Sequence, residues 1–489
     1  MKLLRMFPFA ALLLCAVFAV AQSPWQPVQG VPDGIGAGAI LLLTDGSVLV
    51  HDEGVDFTAW YKLSPDMNGN YATGIWTKIA NMPATYGPLY FGSAILPDGR
   101  MIVEGGEYNF GTAGGSEVKL GAIYDPVANS WQNVNPPAGW NTIGDGASVI
   151  LTNGTYMQGS CCDNPPKAAL LNASNLTWTS TGTGKFDPYV EEGLTLLPSG
   201  KVLDIDSYYL HYDPNGKNYE IYDPATGAWT LTGQTPVQLW DAPGRTYEQG
   251  PDVLMANGTV FAMGANANGS GHTAVYTTGT GNWVAGPDFG NNLNMCDGPA
   301  ALEPNGKVIM MTTPGCYNPV GAVFFEWDGS SLTQIPAPPN APNDNSYYGH
   351  FLVLPNGQVM FTDFSSDVEV YTPTGSDYNW KPSTILTSAV LKRGTTVVLQ
   401  GNKFNGLTQG SAYGDDFQNA TNYPIVRFTN ASTGHVFYAR THDHNTMAVA
   451  YPGPSYTHVD IPSNMETGFS FLEIIANGVP SVKYGIGIN

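Results

Sequence analysis

The 489-residue chain carries 40 acidic against 19 basic residues, a formal charge of −21, with 58 glycines, 37 prolines and 12% aromatic side chains. An acidic balance of this size excludes nucleic acid as an expected partner, since phosphate binding needs a basic footprint. Glycine and proline at this density punctuate turns between short strands, and the aromatic content speaks against disorder.

Residues 1–21, MKLLRMFPFAALLLCAVFAVA, place Lys2 and Arg5 ahead of a short apolar run closed by Ala19-Val20-Ala21. This is the pattern of a secretory signal peptide, too short for a membrane span, and it predicts a secreted protein, extracellular or periplasmic. No later stretch approaches the roughly 20 apolar residues a bilayer requires, so no transmembrane segment is expected.

From residue 22 to about 383 one pattern recurs: an apolar run, a turn dipeptide and a second apolar run, as in AILLLTDGSVLV, SAILPDGRMIV and FLVLPNGQVMF. Seven copies turn at Asp45, Asp98, Asn153, Ser199, Asn257, Asn305 and Asn356, with separations of 46 to 58 positions. Asp-Gly and Asn-Gly between β-rich runs signal tight hairpins. A second hairpin follows most of them, marked by pairs such as Tyr124 and Trp131, Tyr222 and Trp229, Tyr276 and Trp283, and Phe325 and Leu332. Four strands per repeat of about 50 residues predict an all-β fold, a seven-bladed kelch-type β-propeller. Trp25 resembles the outer-strand tryptophans, so the first strand is expected to complete the last blade.

The repeat stops near Ser383. Alternating runs such as TTVVLQGNKFNG, YPIVRFTNASTGHVFYART and FSFLEIIANG predict an immunoglobulin-like β-sandwich over 384–489. Within it RTHDHNTM holds His442 and His444 at an expected hairpin tip. Four cysteines follow the leader. Cys296 and Cys316 flank one hairpin and are expected to pair; Cys161 and Cys162 form either a vicinal disulfide or a thiol pair able to hold a metal, and export favours the disulfide.

A leader, a seven-bladed propeller and a terminal sandwich together resemble the galactose oxidase and glyoxal oxidase family over nearly the whole chain. The resemblance implies that a sandwich hairpin enters the propeller channel and supplies a copper-ligating histidine, His442, from a Thr-His-x-x-Asn-Thr stretch matched by Thr441 to Thr446. It also implies Tyr347 as axial and Tyr90 as equatorial tyrosine, which makes Tyr90, Tyr347 and His442 the catalytic candidates. The chain departs from the family in two places. Tyr348 stands where the second copper histidine belongs, with His350 or His444 as substitutes, and no cysteine lies between Gln22 and Ser160 to cross-link Tyr90. The activity therefore does not follow from the fold, because function belongs to the site.

A glycine precedes each inner strand, and the residues just before it should ring the channel mouth. These positions hold Tyr90, Asp145, Glu191 and Glu192, Glu248, Asp297, and Tyr347 and Tyr348, with Trp140, Trp240 and Tyr247 on the loops between blades. The ligand-binding candidates are Asp145, Glu192, Glu248, Asp297, Tyr348, Trp140, Trp240 and Tyr247; the metal candidates are His442, His444 and Tyr347. Ringed carboxylates need a cation, hydrogen bonds or raised pKa values, and their plainer role is to cap backbone amides and hold channel water. Oxygen donors suit calcium, whereas imidazoles widen the choice to copper. The expected function is binding of a saccharide or other small polyol. The alternatives are a copper-dependent oxidase of primary alcohols or aldehydes, and a structural component of an extracellular assembly. Oligomeric state is not legible from these residues.

Overall fold

A computed structural model describes residues 23–207, 216–241, 248–266, 268–316, 320–375, 380–386, 388–409, 411–413 and 420–489. Seven four-stranded antiparallel sheets follow one another along the chain as the blades of a propeller. Blades 1 to 6 begin with the inner strands Ala37–Leu42, Gly92–Ile95, Ser148–Ile150, Leu194–Leu196, Asp252–Leu254 and Pro299–Leu302. Blade 7 begins with His350–Val353 and takes its outermost strand from Trp25–Pro27, in register with Glu369–Tyr371 so that Trp25 faces Tyr371. The start of the chain thus closes the ring, as the likeness of Trp25 to the other outer-strand tryptophans suggests.

Burial falls outward through each blade. Inner strands such as Pro299–Leu302 are wholly buried, whereas the outermost strands, such as Ile75–Lys78, are mostly exposed. The outer-strand tryptophans tie blade to blade. Trp131 donates its indole N–H to Ala80 O at 2.8 Å, Trp178 to Asn135 O at 2.7 Å, Trp76 to Gln29 O at 3.1 Å and Trp25 to Pro336 O at 2.6 Å. Tyr124, Tyr222 and Tyr276 pair with Trp131, Trp229 and Trp283. In blade 6 the register differs from the expected one: Phe325 faces Gln334, and Leu332 faces Trp327.

The last blade strand ends at Tyr371, and Ser383–Ile385 already pairs with Thr396–Asn402 in the terminal domain. That domain is one curled sheet, consistent with a β-sandwich, wrapped round Leu399, Val426, Phe428, Val459, Leu472 and Ile486. It docks on the propeller face that carries the Asp-Gly and Asn-Gly turns. Arg440 Nη2 donates to Asp98 O at 2.6 Å, Met447 N to Thr152 O at 2.9 Å, and the Tyr423 hydroxyl to Leu42 O. One of its segments enters the channel, where Gln409 N donates to Leu254 O at 3.1 Å and Ser411–Tyr413 adds a fifth strand to the inner edge of blade 6. Among the described residues no helix is long and apolar enough to cross a membrane.

Candidate functional site

The inner strands run from the channel mouth to the turn face, so the residues just before them gather at the mouth. Three carboxylates converge there: Glu191 of blade 4, Glu248 of blade 5 and Asp297 of blade 6 offer oxygens that all lie within 4.8 Å of one another. The stitch that aligns them is Gln249. Its side-chain amide donates to Ile205 O of blade 4 at 2.8 Å, and its backbone carbonyl accepts the Asp297 N–H of blade 6 at 3.0 Å. Glu191, Asp297 and, in blade 2, Tyr90 all take left-handed backbone conformations, with φ of 53°, 39° and 51°. Such φ values in residues other than glycine cost about 1–3 kcal/mol each and persist where surrounding structure holds them. Here they turn side chains of alternate blades toward the mouth.

The opposite side of the mouth is aromatic. Tyr108, Tyr90, Phe364, Tyr348 and Tyr347 form a continuous arc, with successive ring centroids 6.5, 6.0, 5.6 and 4.5 Å apart. Tyr90, Tyr347 and Tyr348 are half-buried, so part of each ring remains exposed. His350 sits deeper, fully buried with its ring 5.7 Å from Phe364, and burial lowers its pKa to about 4, leaving it neutral. Asp145 of blade 3 adjoins the end of the arc, where its charge, behind the Glu107 hydrogen bond and burial, helps raise the Tyr108 pKa.

Several expected members lie elsewhere. Glu192 turns away from its neighbour Glu191, whose left-handed backbone redirects the chain just before the inner strand. It is buried in blade 4, where its carboxylate lies 3.0 Å from Lys185 Nζ. Asp187 at 3.1 Å, Asp204 at 2.9 Å, Glu220 at 3.0 Å and Asp206 at 3.8 Å share the same ammonium. Burial alone would lower the Lys185 pKa, but the surrounding carboxylates, Asp187 first, carry it well above the usual value. Burial lifts Asp187 to about 7. This cluster was legible in part, since Asp204 and Asp206 stand two apart in VLDID and so share a strand face.

Trp240 is also not a mouth platform; it is buried, and its indole N–H donates to Gly216 O at 2.8 Å. Trp140 packs against Ile143, Ala169 and Trp178 in blade 3. Tyr247 lies outside the described residues. Cys161 pairs with Cys162 and Cys296 with Cys316 at disulfide-bonding distance. Glu117 carries a ligand atom close to the first pair.

His442 and His444 are not gathered with Tyr347. His444 is buried at the turn face, where its N–H donates to Pro97 O at 3.2 Å and its ring bonds to Thr457 at 2.8 Å. His442 lies on the sandwich between Asp443 at 2.8 Å and Asp460 at 3.3 Å, stacked on His458. Both are at the opposite end of the inner strands from Tyr90 and Tyr347. The segment that does enter the channel has no histidine between Gln409 and Tyr423. Copper prefers imidazole or thiolate donors; among the described residues the imidazoles nearest the mouth tyrosines are the buried His350 and, beside it, His51, whose two nitrogens already bond to Glu53 and Phe57 O, so these residues do not fit a copper-radical centre.

No family model and no curated protein matches the sequence. Solved structures do share its architecture. A fungal alcohol oxidase of the AA5 family, in complex with copper, superposes with a TM-score of 0.52 at 14% identity, covering 95% of this chain and 98% of that one. The extracellular domain of a hybrid two-component system from B. thetaiotaomicron gives 0.49 at 12% identity over 95% of this chain and 58% of that one. Hydrazine synthase from Kuenenia stuttgartiensis gives 0.47 at 14% identity, over 71% and 99%. At such identities the first likeness is one of fold, and the other two carry no argument.

Proposed function

We propose that the chain is an exported ligand-binding protein whose propeller mouth holds a saccharide or similar polyol between the tyrosine arc and a divalent cation on Glu191, Glu248 and Asp297. The convergence of those three carboxylates carries the reading. Their oxygens, within 4.8 Å of one another, make an oxygen-donor set of the kind a hard divalent cation takes, and such an ion can also coordinate the hydroxyls of a sugar. Aromatic faces across the mouth would stack on the apolar C–H side of a pyranose. The leader pattern and the two cysteine pairs support export.

The test is calorimetric titration of a panel of mono- and oligosaccharides into the full chain, with calcium and after chelation. A bound sugar should lose about tenfold or more in affinity, about 1.4 kcal/mol, in Glu191→Gln, in Tyr348→Ala and on chelation. No sugar bound under either condition would sink the reading. Stoichiometric copper in protein purified without added metal, with peroxide released from primary alcohols, would replace it by an oxidase.

A further inference from the structure

We propose that blade 4 contains a second, fully enclosed cation site, selective for a hard divalent ion of calcium type and built from Asp187, Glu192, Asp204, Asp206 and Glu220. It is distinct from the mouth trio and does not depend on it. Five carboxylates face one ammonium here, a formal excess of four negative charges, and the side chains of all six residues are 0–1% exposed. Buried charges persist only when paired, and Lys185 balances one of the five.

The ligand geometry is in place. Oxygens of Asp187, Glu192 and Asp206 lie within 4.8 Å of one another, and so do oxygens of Asp204, Asp206 and Glu220. Two oxygens on one calcium, each at 2.3–2.6 Å, lie at most about 5 Å apart, so the oxygens of either triad are close enough together to share one ion. Asp206 belongs to both triads. Among the described residues neither of its carboxylate oxygens has a hydrogen-bond partner, the residue is fully buried, and the cation beside it is Lys185, at 3.8 Å, the longest of the five ion pairs. Asp187 Oδ2 and Asp204 Oδ1 are likewise unbonded. A set made wholly of oxygen donors excludes soft metals and favours calcium over magnesium, which demands a tighter octahedron and keeps its waters.

The position explains what the ion would do. Lys185 and Asp187 lie in the connection from blade 3, Glu192 precedes the inner strand, and Asp204 and Glu220 face each other across the second and third strands. An ion here would tie the entry segment to the blade it enters. Tyr189 and Trp229 lie 5.0 and 5.4 Å from Lys185 Nζ, close enough to transfer excitation to a lanthanide.

The experiment uses the full chain. Calcium is measured by elemental analysis after desalting, and the thermal midpoint is recorded with calcium and with chelator. The wild type should retain calcium and melt higher with it. Asp206→Asn should weaken calcium binding at this site by about 10–100-fold, the loss typical of disturbing a metal site, and Glu191→Gln, which disturbs only the mouth trio, should still retain a calcium that Asp206→Asn loses. A wild type that neither binds calcium nor shifts its midpoint overturns the site, as does a calcium response kept in Asp206→Asn and lost in Glu191→Gln. Should Asp206→Asn fail to fold, terbium added to the wild type should emit on indole excitation, and Trp229→Phe should weaken that emission. Emission unchanged by Trp229→Phe overturns the site.

Discussion

Glu191 and Glu192 are neighbours in sequence and belong to different structures, one at the open mouth and one inside blade 4. The strand period shows that they cannot face the same way, but not which of the two faces the axis. The left-handed turn at Glu191 decides that, and it depends on tertiary packing that no local pattern records. Gln249 was similarly illegible, because a glutamine before a strand looks the same whether or not it bridges two other blades. Its removal has a defined outcome. Gln249→Ala should cost about 1–3 kcal/mol by leaving the buried Ile205 carbonyl unpaired, measured as a lowered denaturation midpoint. The same variant should weaken cation binding at the mouth: the backbone bond to Asp297 stays, but the segment loses its side-chain tie to blade 4, where Glu191 lies.

At the scale of elements the reading from sequence is strongest where turn chemistry and aromatic pairs repeat. Seven Asp-Gly, Asn-Gly and Ser-Gly turns locate seven inner hairpins, and Trp131, Trp178 and Trp76 mark outer strands. Blade 6 departs because Phe325 and Leu332 stand in for the usual aromatic pair, and the ladder settles two residues out of the expected register. The segment that enters the channel was misplaced for a physical reason. His442 sits in a stretch that matches the family's motif, whereas Ser411–Tyr413 enters by backbone pairing with Pro299–Leu302, which any residue type can supply. Ring closure gives the sharpest prediction at this scale. Trp25 is 5% exposed and packs edge-on against Phe324 and Phe361 at 5.4 and 5.8 Å. Trp25→Ala should therefore cost about 3–5 kcal/mol in chemical denaturation. Trp131→Phe, which keeps a ring but loses one hydrogen bond, should cost about 1 kcal/mol.

Over the whole molecule, buried acids outnumber what the few lysines can balance, and this sets the response to pH. Burial first, and then a neighbouring carboxylate, lifts Asp344 to about 8, Glu303 to about 8 and Glu369 to about 9. Each folded value lies above the unfolded one near 4, so the native state holds a proton that the unfolded chain has released, and stability falls as pH rises between the two values. His350 and His444, held by burial near 4 and 3, act in the opposite sense, losing stability as pH drops below about 6.5. The two effects oppose each other below pH 6.5, and only the carboxyls act above it. The thermal midpoint of chelated protein should therefore fall from pH 6.5 to about 8.5, and Asp344→Asn should make that fall shallower. A midpoint that rises across this interval would contradict the assignment.

The strand at Ser411–Tyr413 has one more result. A propeller with an open bore can pass material from one face to the other, but here the bore is occupied by the chain itself on the side where the sandwich docks. Among the described residues, Gln409 and Ser411–Tyr413 line the bore on that side, so a ligand held at the tyrosine mouth would load and leave on the face away from the sandwich.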